Sequence, residues 1–266
     1  MSPRRSVSLW VCAAISAALL ATGCGGGGED SIVVPASVGG TWSITETGTT
    51  NDCGDPVDPP YAITVTQNGS SVTVTTPAGT FSGTVSGSSL SWSGSYPDNG
   101  GTNTINSLTA TIAALGVSLS GSSSWSWTDG VTSCSGTTSF TGTRTTFAEA
   151  EPNDSPATAQ VVPFPATITG TVIGNTSSGV VGPEDDLDVF RFTLAATGTI
   201  TITLTGGTTQ DMDLVLYDST GSTVLDFSAG LDSNEVITIT LSAGTYNAVV
   251  WPFVVTVATG YTLSIQ

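Results

Sequence analysis

Along most of the chain, apolar and polar residues alternate one by one. Phe81 and Val85 are interleaved with Ser82, Thr84 and Ser86; Leu90 and Trp92 with Ser89, Ser91 and Ser93; Leu108, Ala110 and Ile112 with Thr109 and Thr111. The same rhythm returns later. Phe190, Phe192 and Leu194 alternate with Arg191 and Thr193, Ile200, Ile202 and Leu204 with Thr201 and Thr203, and Ile237, Ile239 and Leu241 with Thr238 and Thr240. Tyr246, Ala248 and Val250, then Tyr261, Leu263 and Ile265, complete the set. A period of two belongs to a strand with one greasy face and one hydroxyl-rich face, and almost no stretch shows the helical period. The chain therefore reads as all-β.

Turn residues divide these strands into two groups. Tyr61 to Gln67 and Ser71 to Thr75 flank Asn68-Gly69, a dipeptide suited to the positive φ angles of a tight hairpin. Gly206-Gly207, Ser219-Thr220-Gly221 and Ala243-Gly244 separate the later strands. The first group predicts an antiparallel meander that closes into a small barrel or, alternatively, folds over as a sandwich. The second predicts a jelly-roll-like β-sandwich. Between them, the acidic segment Phe147 to Asp154 marks a change of composition, so the expected domains are 38–147 and 148–266.

The N-terminus has a different pattern. Arg4 and Arg5 precede an apolar run from Val7 to Leu20 that is short for a membrane span, and small residues follow it. Leu20-Ala21-Thr22-Gly23-Cys24 resembles the lipobox of bacterial lipoproteins. That resemblance implies a leader over 1–23, acylation at Cys24 and attachment to the cell envelope, with the outer membrane the expected location. Gly25 to Gly28 opens a flexible tether over 24–37.

Charge and composition narrow the chemistry. Without the leader, Arg144 and Arg191 face all 21 acidic residues, so nucleic acid is excluded as a partner and the lipid anchor alone provides membrane contact. The chain has neither histidine nor lysine, which removes Ser-His-Asp and Cys-His catalysis, Schiff bases and histidine-ligated zinc. Only a pair of placed carboxylates acting on a glycoside is left as an enzymatic alternative, and the protein is expected to be a non-enzyme. Cys53 and Cys134 are the only thiols of the folded body and are expected to form a disulfide in an oxidising compartment. A monomer is expected.

Aromatic residues offer a first candidate site. Gly40-Thr41-Trp42 resembles the Gly-x-Trp opening of lipocalin-type calyx barrels, which implies a cavity lined by Trp42, Trp92, Trp125 and Trp127. The competing and preferred reading is that these rings fill a barrel just wide enough for side chains. A further option makes Trp125 and Trp127, two apart and so on one face, an exposed platform for sugars.

Acidic residues offer the second. Glu149, Glu151 and Asn153 are spaced by two, with Asp154 beside them, and Asp185, Asp186 and Asp188 form a second knot. If the linker folds back, these oxygens converge without a basic partner, and calcium, which takes six to eight oxygens in a flexible shell, suits them. The plain alternative leaves Glu149 and Glu151 as solvated charges and has Asp154 cap a turn at Ser155-Pro156. Asp211, Asp213 and Asp218 are read as marking a strand start and a turn.

Several motifs occur together in the second half: Glu151-Pro152-Asn153-Asp154-Ser155, Asp186-Leu187-Asp188-Val189-Phe190, Asp211 to Asp218 with Gly221, Ala243-Gly244-Thr245-Tyr246 and Gly260-Tyr261-Thr262-Leu263. In this order they resemble the bacterial pre-peptidase C-terminal domain across residues 148 to 266. The resemblance implies a solubility or targeting module. By likeness to collagen-binding relatives, it also implies a calcium site of Glu149, Glu151, Asn153, Asp154, Asp185 and Asp188, with Glu151 and Asp188 foremost. A β domain rather than a peptidase precedes it, so the leading expectation is a lipid-anchored, non-catalytic protein whose sandwich targets an extracellular protein or polysaccharide. The alternative is a barrel that binds a small hydrophobic ligand.

Overall fold

A computed structural model describes residues 35–173 and 187–266. The leader, Cys24 and Asp185 lie outside the described residues. Eight antiparallel strands come first: β1 (Gly40–Asn51), β2 (Tyr61–Asn68), β3 (Ser71–Thr76), β4 (Gly79–Ser86), β5 (Ser89–Asp98), β6 (Gly101–Ile112), β7 (Ser118–Thr128) and β8 (Ser133–Ala148). Each pairs with the next, and β1 also pairs with β8 from Gly40↔Phe147 to Asn51↔Gly136. That last pairing closes the sheet, so the meander is a barrel and the sandwich alternative falls away.

The alternation read from the sequence sorts the side chains as expected. Trp42, Ile44, Ile63, Val65, Val72 and Val74 are sealed inside, as are Val85, Leu90, Ile112 and Leu119. Outside, hydroxyl pairs link neighbouring strands, among them Thr84 with Ser91 at 3.2 Å and Ser107 with Ser124 at 2.9 Å. The first hairpin differs in detail from its prediction. Asn68 pairs with Ser71, so the turn is Gly69-Ser70, and of these only Gly69 has a positive φ, at 58°. Glycine at the first central position is the requirement of a type II′ turn, not of the Asn-Gly type I′ turn.

One end of the barrel is closed by the incoming chain. Ala36 donates its N–H to the Gly87 carbonyl at 2.8 Å, and Val38 donates to Gln67 Oε1 at 2.7 Å. The buried Arg144 donates to the Ser37 carbonyl at 3.0 Å and to that of Gly39, so residues assigned to the tether are docked instead.

The strands after β8 build two facing sheets. β10 (Ala166–Val172), β17 (Thr259–Ile265), β12 (Gly198–Thr205) and β15 (Asn234–Leu241) form one. β14 (Val224–Ser228), β13 (Asp211–Tyr217), β16 (Gly244–Val254), β11 (Asp188–Leu194) and the short β9 (Gln160–Val161) form the other. Ile168, Ile202, Leu204 and Ile265 of the first meet Phe190, Phe192, Leu214, Leu216 and Val250 of the second in one core. The first sheet is continuous with the barrel, because Phe147 and Ala148 at the end of β8 pair in parallel with Ile168 and Thr169 of β10.

A Cys53–Cys134 disulfide ties the loop after β1 to the start of β8, with Cα atoms 5.6 Å apart. It closes a separation of 81 residues, for which the chain-entropy model gives about 4.5 kcal/mol. Replacing both cysteines by serine should therefore lower the free energy of unfolding by up to about that amount, read from denaturant midpoints with and without a reductant.

Candidate functional site

Among the described residues, two places gather side chains with chemistry. The first is where the chain leaves the barrel for the sandwich. Glu149 continues the ladder by donating its N–H to the Thr169 carbonyl at 2.9 Å, and Gln160 clamps the segment, donating to the Ala148 carbonyl at 3.0 Å and accepting from the Ala150 N–H at 2.9 Å. The Arg191 guanidinium holds the next stretch, bonding the Pro156 carbonyl at 2.6 Å and Asn247 at 3.1 Å. Val189 at the start of β11 donates to the Asn153 carbonyl at 3.1 Å. The linker is thus pressed onto the sandwich edge.

That path brings carboxylates from distant positions together. Glu149, Glu151 and Asp188 each offer an oxygen within 4.8 Å of the others, with Asp188 fully buried. Glu149 Oε2 accepts from the Thr171 N–H at 2.8 Å, Glu151 from the Asn153 N–H at 2.9 Å, and the Asn153 amide reaches Glu149 at 3.4 Å. Tyr261 of β17 packs beneath and donates to Glu149 at 3.4 Å. Burial raises its pKa well above the ordinary value, and the charges of Asp188 and Glu149 and a hydrogen bond with Asp188 add to the rise. Gly170, paired with Tyr261, leaves the space this ring needs, since a Cβ there would run into the ring and sit 2.7 Å from Glu149.

Of the six residues expected to bind calcium, the structure gathers Glu149, Glu151, Asn153 and Asp188. Asp154 is exposed and outside the carboxylate group. Nor does it cap the following turn: the Ser155 hydroxyl accepts from the Thr158 N–H at 3.3 Å in that role. A cation fits the donors present, because Asn153 Oδ1 is buried without a hydrogen-bond partner among the described residues, in a group otherwise made of carboxylates.

The second place is inside the barrel. Above the packed layer of Trp42 and Leu90 the interior opens into a cavity of about 690 Å³, lined from all sides, with Phe81, Trp92, Tyr96, Trp125 and Phe140 among its walls. The aromatic residues thus divide between two roles. Trp42 is sealed in the core with its N–H on the Val38 carbonyl at 2.9 Å, so it lines no cavity. Trp125 lines the cavity, and its N–H donates to Thr138 at 3.1 Å. Trp127 sits at a separate shallow pocket beside the disulfide, bonded to the Asp98 carbonyl at 2.9 Å. Both tryptophans of β7 are half-buried, so they do not make an exposed platform.

Glu46, Asp55, Asp58 and Asp98 also line this cavity, a gathering the sequence reading missed. Burial raises the Glu46 carboxyl above its usual range; the Asp58 N–H, bonded to it at 3.0 Å, opposes the rise, and the Asp58 charge adds to it. Tyr61 is pushed up to about 12 by burial and by Glu46 and Asp58. The inward position of Glu46, two residues past Ile44 on β1, was the available signal.

Residues 186–250 match the family model of the bacterial pre-peptidase C-terminal domain, a domain type that is commonly non-catalytic. The match takes in β11 through the middle of β16 and starts after the Glu-Pro-Asn-Asp segment included in the expected resemblance. Among solved structures, the chain is similar to the pre-peptidase C-terminal domain of a collagenase from Bacillus anthracis, at 20% identity and a TM-score of 0.35, over 44% of this chain and 100% of that one. No curated protein matches the chain.

Of the remaining acids, Asp218 caps its turn as expected, accepting from Thr220 and Ser222 N–H groups at 3.1 Å each. Asp213 behaves differently. Burial raises it to about 7, with further contributions from Asp211 and Glu235. A folded-state pKa above the unfolded one means that the folded protein holds this proton up to near neutrality, while the unfolded chain releases it near pH 4. Its favourable contribution is complete below pH 4 and is lost as pH rises towards 7. Asp213→Asn should therefore raise Tm at pH 8 and leave it nearly unchanged at pH 4, as followed by circular dichroism.

Proposed function

We propose that this is an exported, lipid-anchored binding protein that holds a small ligand in the mouth of its barrel, with the sandwich as a calcium-tightened supporting module. The observation that carries the reading is the aromatic-walled cavity of about 690 Å³, which falls within the size range of small-molecule sites. A barrel plugged along its whole length would have favoured targeting by the sandwich; here only one end is plugged. The mouth is framed by Pro56, Pro59, Pro77 and Pro97, whose fixed φ angles limit how far its loops can collapse inward. The disulfide holds the loop that carries Asp55 and Asp58.

In the supporting module, Glu149, Glu151, Asn153 and Asp188 would hold a calcium ion. It would supply charge compensation between the linker and the start of β11. Tyr261 orients Glu149, and the linker clamps by Gln160 and Arg191 set the approach of the glutamates.

The ligand reading is tested by titrating the full chain with neutral, environment-sensitive N-phenylnaphthylamine. Saturable fluorescence enhancement is expected, and Ser123→Trp, which puts an indole into the cavity, should reduce it at least about tenfold. Unsaturable enhancement unaffected by that substitution would overturn the reading. The calcium reading is tested separately by thermal unfolding. Millimolar calcium should raise Tm by several degrees over excess chelator, and Glu151→Ala with Asp188→Ala should abolish the rise.

A further inference from the structure

The barrel cavity has a charge as well as a shape. Among the described residues, its four carboxylates, Glu46, Asp55, Asp58 and Asp98, have no basic residue beside them, and the chain has no lysine or histidine. Of the arginines, Arg144 sits at the closed end, 4.3 Å over the Phe147 ring, and Arg191 sits against Asn247 in the sandwich. Asp98, Asp58 and Glu46 all act on Tyr96, and Glu46 and Asp58 on Tyr61, so these groups lie close together, with Glu46 and the two tyrosines partly desolvated and Asp58 exposed at the rim. Field lines from such a group concentrate in a low-dielectric mouth and favour a cation.

The walls select what kind of cation. Among the described residues, these four carboxylates do not gather into a three-ligand metal group, as those of the linker do. Instead, they share the lining with aromatic rings. Tyr96 stands edge-on to Phe81 at 6.1 Å, and Tyr61, Trp92 and Trp125 complete the lining. The electron-rich faces of such rings attract ammonium groups, which bare metal ions would have to desolvate fully to exploit.

Two polar atoms in the wall specify more. The Trp92 indole N–H, on a residue only 9% exposed, has no acceptor among the described residues, and the buried Asn103 Oδ1 has no donor. Every other tryptophan N–H of the barrel domain is bonded to protein. A donor left without an acceptor in a cavity wall calls for a ligand oxygen.

Resting on the reading of the barrel as a ligand site, we propose that it recognises a small organic cation, an ammonium group on an apolar body that also carries an oxygen. The ammonium lies among the carboxylates and tyrosines of the mouth, and the apolar body with its oxygen reaches Trp92.

The test uses benzoylcholine, its uncharged carbon isostere neohexyl benzoate, and the anion hippurate, each titrated into the full chain by calorimetry and tryptophan fluorescence. Benzoylcholine should bind about tenfold or more tighter than neohexyl benzoate, with hippurate weakest. Glu46→Gln with Asp58→Asn should erase the preference while leaving neohexyl benzoate binding intact. Trp92→Phe should weaken both esters equally. Equal affinity for the charged and neutral esters, or tighter binding of hippurate, would overturn the cation inference while leaving the ligand site standing. If none of the three binds at millimolar concentration and N-phenylnaphthylamine also fails, both readings fall together.

Discussion

Strand β8 has to satisfy two sheets at once, and the arrangement of the rest follows from that demand. Its lower part is held on both sides, by β7 from Ser133 to Thr143 and by β1 as far as Phe147. Past Thr143, β7 has ended, and the free edge would expose unpaired backbone groups. β10 takes up that edge at Phe147 and Ala148. The Phe147 side chain belongs to the sandwich core, and Arg144, three residues earlier, lies over both its ring and that of Trp42, at 4.3 and 5.6 Å. The guanidinium therefore bridges two apolar interiors, beside Val117, which packs against the sandwich core. Burial lowers its pKa only to about 10, so it is charged at neutral pH, and its two terminal nitrogens meet backbone carbonyls rather than an acid.

A chain with 21 acids and four basic residues must place most of its negative charge without ion pairs, and this one uses several physical solutions. Asp218 is stabilised as an anion by turn hydroxyl and N–H groups, which pull its pKa down to about 2. Asp213 accepts burial and keeps its proton to near neutrality. At the linker, Glu149 and Glu151 take backbone N–H donors but still crowd Asp188. At the barrel mouth, Glu46 has one N–H and is otherwise surrounded by rings and like charges. The last two settings crowd like charges that a cation would relieve, and their surroundings differ: oxygens in one, aromatic faces in the other.

Alternation alone made the strands legible, because a half-buried strand has to present one face to the core whatever its neighbours do. It could not settle whether β1 meets β8, since closure depends on the coiling of the whole meander rather than on any local pattern. The linker site was partly legible: the spacing of Glu149 and Glu151 suggested convergence, yet only the clamps by Gln160 and Arg191 determine that Asp188 is reached and Asp154 is not. The mouth was not legible as a site. Glu46, Asp58 and Asp98 come from different strands and loops, and their gathering follows from barrel register, which one sequence leaves open.

The course of residues 36 to 39 across the closed end fixes the polarity of the molecule. The chain enters the fold beside Gln67, Gly87 and Arg144, near the end of β8 that meets the sandwich, whereas the cavity opens near the other end of β1 and β8, by Thr49 and Thr138. Residues 36 to 39 and the opening of the cavity are thus at opposite poles of the barrel. Residues 36 to 39 therefore dock away from the cavity mouth, and their own seat on the barrel leaves that opening uncovered.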